Sequence, residues 1–370
     1  MIDVELLDGG PAAPRYDLVS GNRMVAEGAL RAGCRFFAGY PIAPALEIFR
    51  AMGEELPLGG GLAVSAPDDI TALQYAIGAS MAGYKAMSAT SGPGWSLMVE
   101  SVQYALMTET PLVVAVVQRL GPATGGATHG AQGDVRLVES CTSGGYTVPV
   151  FAPSTAAEAY ELTIEAFNWA ERLRMPVVLL SDKEVGTTTE RVDRAALAGA
   201  EPVTRQAPFA PVGGPARVAL TGSAHDRAGR LMKPAGEALE LLRELEAKVV
   251  ARAPAMARFE YRPISNAEVV VMSYGVTARA MKEACRHFHE TGRLAVSCLK
   301  LQTLFPVPDR IIRHAAATAR RVLVTEENLT GQYAAVVESV LGRPVERLAR
   351  LGSLITPQEI IAAVERGGPA

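Results

Sequence analysis

The segment Ala89–Arg119, ATSGPGWSLMVESVQYALMTETPLVVAVVQR, contains the pattern that decides the fold. A glycine-rich loop opens a helix, and the helix leads to Leu112–Val117, a short run rich in β-branched residues. Apolar runs of this length, bounded by turn residues, are typical of parallel strands that helices cover on both faces. The segment therefore predicts a helix followed by a buried strand of a parallel α/β sheet.

The same alternation continues on both sides of this segment. Further buried strands are predicted at Pro176–Ser181, Glu268–Ser273, Leu294–Leu299 and Val322–Thr325. Helices are predicted at Asn22–Ala32, Ile70–Ala82, Ala156–Leu173, Val276–Glu290 and Thr356–Glu365. The fold class we expect is α/β, with two doubly wound parallel-sheet domains at residues 15–195 and 264–366. Residues 196–263 contain a proline- and glycine-rich stretch, Gln206–Pro215, and a charged helix near Glu237–Arg252. This composition predicts a connector between the two domains.

Composition and charge exclude several classes of protein. Of the 370 residues, 49% are hydrophobic and 20% are charged, which excludes a disordered chain. With 36 basic and 39 acidic residues, the chain has no overall positive charge of the kind that binds nucleic acid. No apolar run is long enough for a transmembrane helix, and the acidic start MIDVELLDGG does not resemble a secretory signal. We therefore expect a cytoplasmic protein that contacts no membrane.

The cysteines give no indication of a metal site. Cys34, Cys141, Cys285 and Cys298 are far apart in the sequence and form no C-x-x-C pair. A cluster bound by this chain alone would need all four from distant segments. We expect four buried structural thiols and no metal bound by this chain.

Three loops carry candidate site residues, because ligands of open α/β sheets collect at the carboxyl ends of the strands. The first is Ala38–Ala45 (AGYPIAPA), whose two prolines predict a rigid loop. The second is Ala89–Gly94 (ATSGPG), where Thr90 and Ser91 supply hydroxyls beside glycines that allow a close approach. The third, Gln118–Asp134, is long for a simple connection, and long loops tend to be functional. Ordinary βα turns remain the alternative for the first two.

Two charged positions stand beside these loops. Arg119 follows a predicted strand, where a fixed cation suits a carboxylate or a phosphate, and a salt bridge to a nearby acid is the alternative. Asp68 and Asp69 precede the predicted helix Ile70–Ala82. Aspartates at this place cap a helix and offset its dipole, and such a role is compatible with a second one.

Seven stretches in order along the chain resemble the alpha subunit of the 2-oxoacid:ferredoxin oxidoreductases, the thiamine-diphosphate- and coenzyme-A-dependent family of 2-oxoglutarate and pyruvate synthases. They are GNRMVAEGALRAGCRFFAGYPIAP (21–44), ATSGPGWSLMVESVQYALMTETPLVV (89–114), QRLGPATG (118–125), AQGDV (131–135), TIEAFNWAERLRMPVVLLSD (163–182), TGSAHDRAG (221–229) and EENLTGQY (326–333). The resemblance implies a transketolase-like pyrimidine-binding domain followed by a transketolase C-terminal-like domain. It also implies oxidative decarboxylation of a 2-oxoacid to acyl-CoA and CO₂, with electrons passed to ferredoxin.

The resemblance also implies partner chains. In this family thiamine diphosphate lies between the alpha chain and a beta chain, and the beta chain carries the Gly-Asp-Gly motif that holds Mg²⁺ and the diphosphate. This chain has Gly133-Asp134-Val135 instead, so it is expected to be a half-site that is active only with a beta subunit. Mg²⁺ and the [4Fe-4S] clusters are expected on partner chains only, including gamma and ferredoxin-like subunits.

The resemblance further implies roles for individual residues. The loop Tyr40-Pro41-Ile42-Ala43 matches the family's Tyr-Pro-Ile-Thr, which contacts cofactor and substrate. Asp69 matches a glutamate that hydrogen-bonds the aminopyrimidine ring of the cofactor and activates it, and Arg119 matches an arginine that contacts the substrate carboxylate. In the glycine loop, the residues expected to contact the cofactor are Thr90, Ser91 and Gly92.

Two positions depart from the family pattern. Ala43 replaces threonine, which removes a hydroxyl and widens the pocket, and Asp69 is one methylene shorter than glutamate. A hydrogen bond to a reacting group tolerates little displacement. Three interpretations therefore stay open: a ferredoxin-linked 2-oxoacid oxidoreductase, the same thiamine chemistry with NAD as final acceptor and an aromatic 2-oxoacid as substrate, and a catalytically silent structural subunit of such a complex.

Overall fold

The computed structural model describes residues 16–197, 201–205, 209–317 and 319–367. The N-terminal stretch MIDVELLDGG and the first three residues of Gln206–Pro215 lie outside the described residues. Among the described residues, no helix combines the length and the apolar character needed to span a bilayer.

The first half of the chain alternates strands and helices as the sequence predicts. Its elements are β1 (Tyr16–Ser20), α1 (Gly21–Arg31), β2 (Phe36–Gly39), α2 (Leu46–Glu55), β3 (Leu62–Ser65), α3 (Asp69–Met81), β4 (Ala86–Thr90), α4 (Gly92–Met107), β5 (Leu112–Gln118), α5 (Val135–Glu139), β6 (Val150–Phe151), α6 (Ala156–Leu173), β7 (Pro176–Asp182), α7 (Lys183–Thr187) and β8 (Thr189–Asp193).

The second half continues the alternation from Glu237 onward. Its elements are α8 (Glu237–Val250), α9 (Ala253–Met256), β9 (Phe259–Arg262), β10 (Val269–Ser273), α10 (Thr277–Thr291), β11 (Val296–Leu301), β12 (Thr303–Phe305), α11 (Asp309–Ala316), β13 (Arg321–Glu326), α12 (Gln332–Leu341), β14 (Glu346–Ala349) and α13 (Pro357–Arg366). Short 3-10 turns occur at Pro57–Gly59 and Arg194–Ala196.

The first sheet has seven strands in the order β12-β6-β7-β5-β4-β2-β3, and all neighbours are parallel except β12, which runs antiparallel to β6. The central strand β5 is buried along its whole length. Its Val113, Ala115 and Val117 pack into the core formed with α1 and α6, while Val114 and Val116 pack into the core formed with α3 and α4. This two-sided burial explains why the strand is a continuous apolar run.

The second sheet has five strands in the order β14-β13-β10-β11-β9, parallel except for β9. One face of β10 packs with α10 and α13. The other face, through Val270 and Met272, joins the same core as Trp95 and Met98 of α4. Helices thus cover both faces of both sheets, and the predicted α/β class with two parallel sheets is confirmed.

Two edge strands do not follow the predicted division into two domains and a connector. β9 lies within residues 196–263 but pairs with β11 of the second sheet. β12 follows β11 in sequence but pairs with β6 at the edge of the first sheet. Helix α8 packs Leu245 and Val249 into the first core, so the connector lies against the first sheet unit.

The strand predicted at Leu294–Leu299 is displaced by two residues, because β11 spans Val296–Leu301. The strand thus includes Lys300, although a lysine is seldom buried. In the structure Lys300 is 3% exposed, and its ammonium pairs with Glu158 and with Glu260 Oε2 at 3.0 Å. These ion pairs compensate the burial of the charge and allow the strand to continue.

The expectation of four free thiols is wrong for two of them. Cys285 of α10 and Cys298 of β11 form a disulfide, with their Cα atoms 6.6 Å apart. α10 packs directly on β11, which brings these two cysteines together in the core of the second sheet. Cys34 and Cys141 are free and buried, as expected.

Candidate active site

The candidate site lies where several parallel strands end. The carboxyl ends of β2, β4, β5 and β7 meet at one edge of the first sheet because these strands are all parallel. The loop Tyr40–Ala45 follows β2, the loop Ser91–Gly94 follows β4, and Arg119 follows β5. The topology therefore brings together the three loops that the sequence singles out.

Asp68 and Asp69 have different surroundings although they are adjacent. Asp68 is exposed, and its Oδ1 accepts a hydrogen bond from Thr71 N at 2.7 Å, which makes it the N-cap of α3. Asp69 is 4% exposed, and its Oδ1 accepts a hydrogen bond from Thr90 Oγ1 at 2.7 Å. Burial raises the pKa of the Asp69 carboxyl above its usual value, and the Thr90 bond opposes that rise. Capping thus belongs to Asp68, and the Asp69 carboxylate points into the site edge.

Two glycines in the first turn of α4 each allow an acid to approach the backbone. A Cβ on Gly94 would lie 2.1 Å from Thr90 Oγ1 and 2.4 Å from Asp69 Oδ1. A Cβ on Gly92 would lie 2.6 Å from Asp134 Oδ1. Glycine is therefore required at positions 92 and 94 because a Cβ there would collide with Asp134 and Asp69, and not because a turn needs it.

Ser91 precedes these glycines with a buried hydroxyl. It is the N-cap residue of α4 but makes no side-chain capping bond, and its Oγ has no hydrogen-bond partner. A buried polar atom without a partner is costly, so a group that completes it is expected at this place. Thr90, Ser91 and Gly92 accordingly line one side of the space next to Asp69.

The loop after β2 faces Arg119. Arg119 Nη1 donates a hydrogen bond to the Ala43 carbonyl at 2.5 Å, and the peptide bond between Ala43 and Pro44 is cis. Asn22 Nδ2 donates to the Pro44 carbonyl at 2.9 Å, which fixes the other side of the loop. Tyr40, Pro41 and Ala43 are exposed, whereas Ile42 packs against the first core. Arg119 is 6% exposed, yet its Nε has no partner.

Sequence reasoning missed a buried polar junction between the two sheets. Gln132 Oε1 accepts hydrogen bonds from Glu327 N at 2.9 Å and from Thr277 Oγ1 at 3.1 Å. Its Nε2 lies 3.2 Å from Asp182 Oδ2, to which Val276 N also donates at 2.5 Å. Gln132 lies in the stretch AQGDV, Glu327 in EENLTGQY, and Asp182 at the end of a predicted strand. Polar residues at the ends of buried strands were the available signal.

The acids of this junction are held away from water. Asp182 is 1% exposed, and burial raises its pKa well above the usual range for an aspartate. Glu327 is 3% exposed, and burial, reinforced by the nearby Glu184, raises its pKa to about 7. In the part of the chain that the structure describes, no group of three or more His, Cys, Asp or Glu side chains is arranged to hold a metal ion.

Two family models match the chain. Residues 27–218 match the thiamine-diphosphate-binding domain of pyruvate flavodoxin/ferredoxin oxidoreductases, and residues 267–360 match core domain II of pyruvate:ferredoxin oxidoreductase. The chain is 38% identical to the 2-oxoglutarate synthase subunit KorA of Methanocaldococcus jannaschii, covering 95% of this chain and 99% of that protein. It is 31% identical to the ketoisovalerate oxidoreductase subunit VorB of Methanothermobacter marburgensis, covering 94% of this chain and 96% of that subunit.

Solved structures give the same result at the level of the fold. A 2-oxoglutarate:ferredoxin oxidoreductase from Magnetococcus marinus, with 2-oxoglutarate, coenzyme A and succinyl-CoA bound, superposes with a TM-score of 0.89 at 28% identity. The match covers 95% of this chain and 65% of that chain. A split-gene transketolase, at 12% identity and a TM-score of 0.55, shares the fold alone. The matching domain models and the full-length relatives establish that this chain belongs to the 2-oxoacid:ferredoxin oxidoreductase family, among its KorA-like alpha subunits.

Proposed function

We propose that this chain is the alpha subunit of a complex that oxidatively decarboxylates a 2-oxoacid to acyl-CoA and CO₂ and passes the electrons to ferredoxin. The substrate to test first is 2-oxoglutarate, because the KorA relatives are named for its synthase. The single observation that carries the proposal is the buried Asp69 carboxylate, oriented by Thr90 and pressed against Gly94.

The residues at this edge fit the aminopyrimidine half of thiamine diphosphate. Asp69 offers a carboxylate in a dry environment, where a hydrogen bond to a ring nitrogen is strong. Among the described residues, the Ser91 hydroxyl has no hydrogen-bond partner and offers a polar contact nearby. When bound, thiamine diphosphate supplies the electron sink that decarboxylation of a 2-oxoacid requires. The Asp69 carboxylate would hydrogen-bond the ring nitrogen and exchange a proton with it, and Thr90 keeps that carboxylate in place.

Arg119 and Ala43 would position the substrate. Arg119 is a buried cation whose Nη1 is held by the Ala43 carbonyl and whose Nε is free to donate to a carboxylate. The exposed Tyr40 and Pro41, together with Ile42, would form the wall between cofactor and substrate. The small Ala43 side chain leaves room beside the reacting carbon, so a larger 2-oxoacid also belongs in the substrate series.

The diphosphate half does not fit this chain. Gly133-Asp134-Val135 lacks the second glycine, and the Asp134 carboxylate lies against Gly92. We therefore infer that a beta subunit supplies Mg²⁺ and the diphosphate contacts, and that partner chains, including gamma and ferredoxin-like subunits, supply coenzyme A contacts and the [4Fe-4S] clusters. Large apolar side chains are exposed next to the site residues, as an interface with a partner requires: Tyr40 in the loop after β2 and Ile70 beside Asp69 in α3.

Substitution of Asp69 in the purified complex tests the proposal. Asp69→Asn keeps the shape but loses the acid, and we expect turnover to fall about a hundredfold or more, as when one preorganised electrostatic contact is lost. Asp69→Glu restores the family's residue and should retain activity. The matched control is Asp68→Asn, since an asparagine still caps a helix and should leave turnover unchanged. Wild-type turnover by Asp69→Asn would remove the role assigned to Asp69.

A further inference from the structure

Asp134 precedes helix α5, but its side chain does not cap that helix. Instead the carboxylate turns toward the first turn of α4, where only a glycine at position 92 leaves room for it. Since the side chain makes no capping hydrogen bond, its orientation must have another cause.

The backbone around Asp134 is fixed from both sheet units. Asp134 N donates to Gln118 Oε1 at 3.0 Å. Gln332 of α12 clamps both sides of the residue: its Nε2 donates to the Gly133 carbonyl at 2.8 Å, and its Oε1 accepts from Arg136 N at 2.9 Å. The backbone at Asp134 is therefore held in place by contacts that leave its carboxylate available for other interactions.

Within the described ranges of the chain, three buried polar groups near this point have no hydrogen-bond partner. They are Asp134 Oδ2, Arg119 Nε and Ser91 Oγ. One is an acceptor, one is a cationic donor and one is a hydroxyl, and Ser91 and Arg119 are each at least nine-tenths buried. Orphaned groups of opposite character at one place indicate a site that a polar ligand completes.

The charges around Asp134 are few. Arg119 is the charged group that acts on its carboxyl, and its positive charge lowers the pKa of Asp134. Of the other charged groups nearby, Asp69 lies against Gly94 in the same turn of α4, and Asp182 accepts a hydrogen bond from Gln118 Nε2. Arg136 on the same helix as Asp134 is paired with Glu139, and the amide of Gln332 carries no charge. Burial prevails over Arg119 and raises the pKa of Asp134 to about 6. The carboxyl thus titrates close to neutrality.

We propose that Asp134 is a positioning residue that acts through Arg119, and that its carboxylate takes up a proton from solvent when an anionic 2-oxoacid binds beside that arginine. The inference rests on the proposed function. A substrate carboxylate neutralises the charge that favours ionised Asp134 and adds a second negative charge nearby. Binding therefore raises the proton affinity of Asp134, and substrate affinity falls as the pH rises above the point where free Asp134 ionises.

The KM for the 2-oxoacid, measured on the purified complex from pH 6 to pH 8.5, tests this coupling. For the wild type we expect KM to rise at least threefold over that range, within the limit of about tenfold per pH unit set by one proton. Asp134→Asn should give a KM that is constant within twofold and lower than the wild-type value at pH 8, with kcat changed less than threefold. Asp134→Ser, smaller and also neutral, should give the same flat profile if asparagine disturbs the fold.

The control is Glu139→Gln, which removes one negative charge from the same short helix but faces Arg136 at the surface. It should reproduce the wild-type profile. A KM profile for Asp134→Asn that runs parallel to that of the wild type would overturn the inference and leave Asp134 with a packing role only. A wild-type complex without turnover on any 2-oxoacid would overturn the proposed function instead, and the inference with it.

Discussion

At the scale of single residues, the site depends on how closely two acids approach the first turn of α4. Asp69 and Asp134 lie against Gly94 and Gly92, and neither approach is possible past a Cβ. The resemblance to the family predicted that the glycine loop and Asp69 belong to one site. It did not indicate Asp134, since an aspartate before a short helix is indistinguishable in sequence from an ordinary cap.

Gly94→Ala should damage the site without unfolding the chain. The new Cβ would lie 2.1 Å from Thr90 Oγ1 and would break the hydrogen bond to Asp69. We expect turnover of the complex to fall at least tenfold, and overpacking to lower the free energy of unfolding by about 1–3 kcal/mol. Steady-state kinetics and denaturant unfolding measure the two effects.

The matched control is Gly78→Ala on the exposed side of α3. A Cβ there would meet no atom within 4 Å, so the substitution should leave turnover unchanged and stabilise the helix by about 0.5–1 kcal/mol. Wild-type turnover by Gly94→Ala would mean that the approach of Asp69 to α4 is irrelevant to the reaction.

At the scale of elements, the periodic patterns predicted position and type well where burial is two-sided. Helix Ala156–Leu173 has the predicted bounds, and β5 and β7 extend the predicted strands by one residue. The edge strands β9 and β12 were not predicted, because antiparallel pairing at an edge depends on tertiary neighbours rather than on local pattern. The Cys285–Cys298 disulfide was missed for the same reason: the packing of α10 on β11 brings the thiols together.

The junction of the two sheets should make stability depend on pH through Glu327. Its pKa of about 7 lies above the unfolded value near 4.3, so folding favours the protonated form. The stabilisation that protonated Glu327 gives the folded state is fully present below the unfolded pKa and is lost as the pH rises toward 7. Glu327→Gln stays neutral and can still accept the hydrogen bond from Ile355 N.

The midpoint of urea unfolding at pH 5 and pH 8 measures this effect. We expect the free energy of unfolding of Glu327→Gln to resemble that of the wild type at pH 5. At pH 8 it should exceed the wild-type value by up to roughly 3 kcal/mol. Glu54→Gln, an exposed position on α2, is the control and should change neither value. An equal effect of Glu327→Gln at both pH values would contradict the assigned ionisation.

At the scale of the whole molecule, the two sheet units share one core and one polar junction, and the second unit helps to position the site edge of the first. The apolar face of α4 is largely buried within this chain: Trp95, Met98, Val102 and Leu106 belong to its cores. The case for a partner rests instead on the missing diphosphate motif and on the apolar side chains exposed at the site edge. If the iron–sulfur clusters lie on partner chains, as proposed, this sequence carries no signal for the electron acceptor.

The most direct test of the central claim is 2-oxoacid-dependent reduction of ferredoxin by the complex of this chain with its co-purifying subunits. Spectroscopy should show reduction that requires 2-oxoglutarate or another 2-oxoacid, coenzyme A and both halves of the site, with neither chain active alone. Reduction of NAD in place of ferredoxin would contradict the proposed acceptor and leave the thiamine chemistry intact. A stable, cofactor-loaded complex that turns over no 2-oxoacid, branched and aromatic ones included, would contradict the account and make this chain a structural subunit.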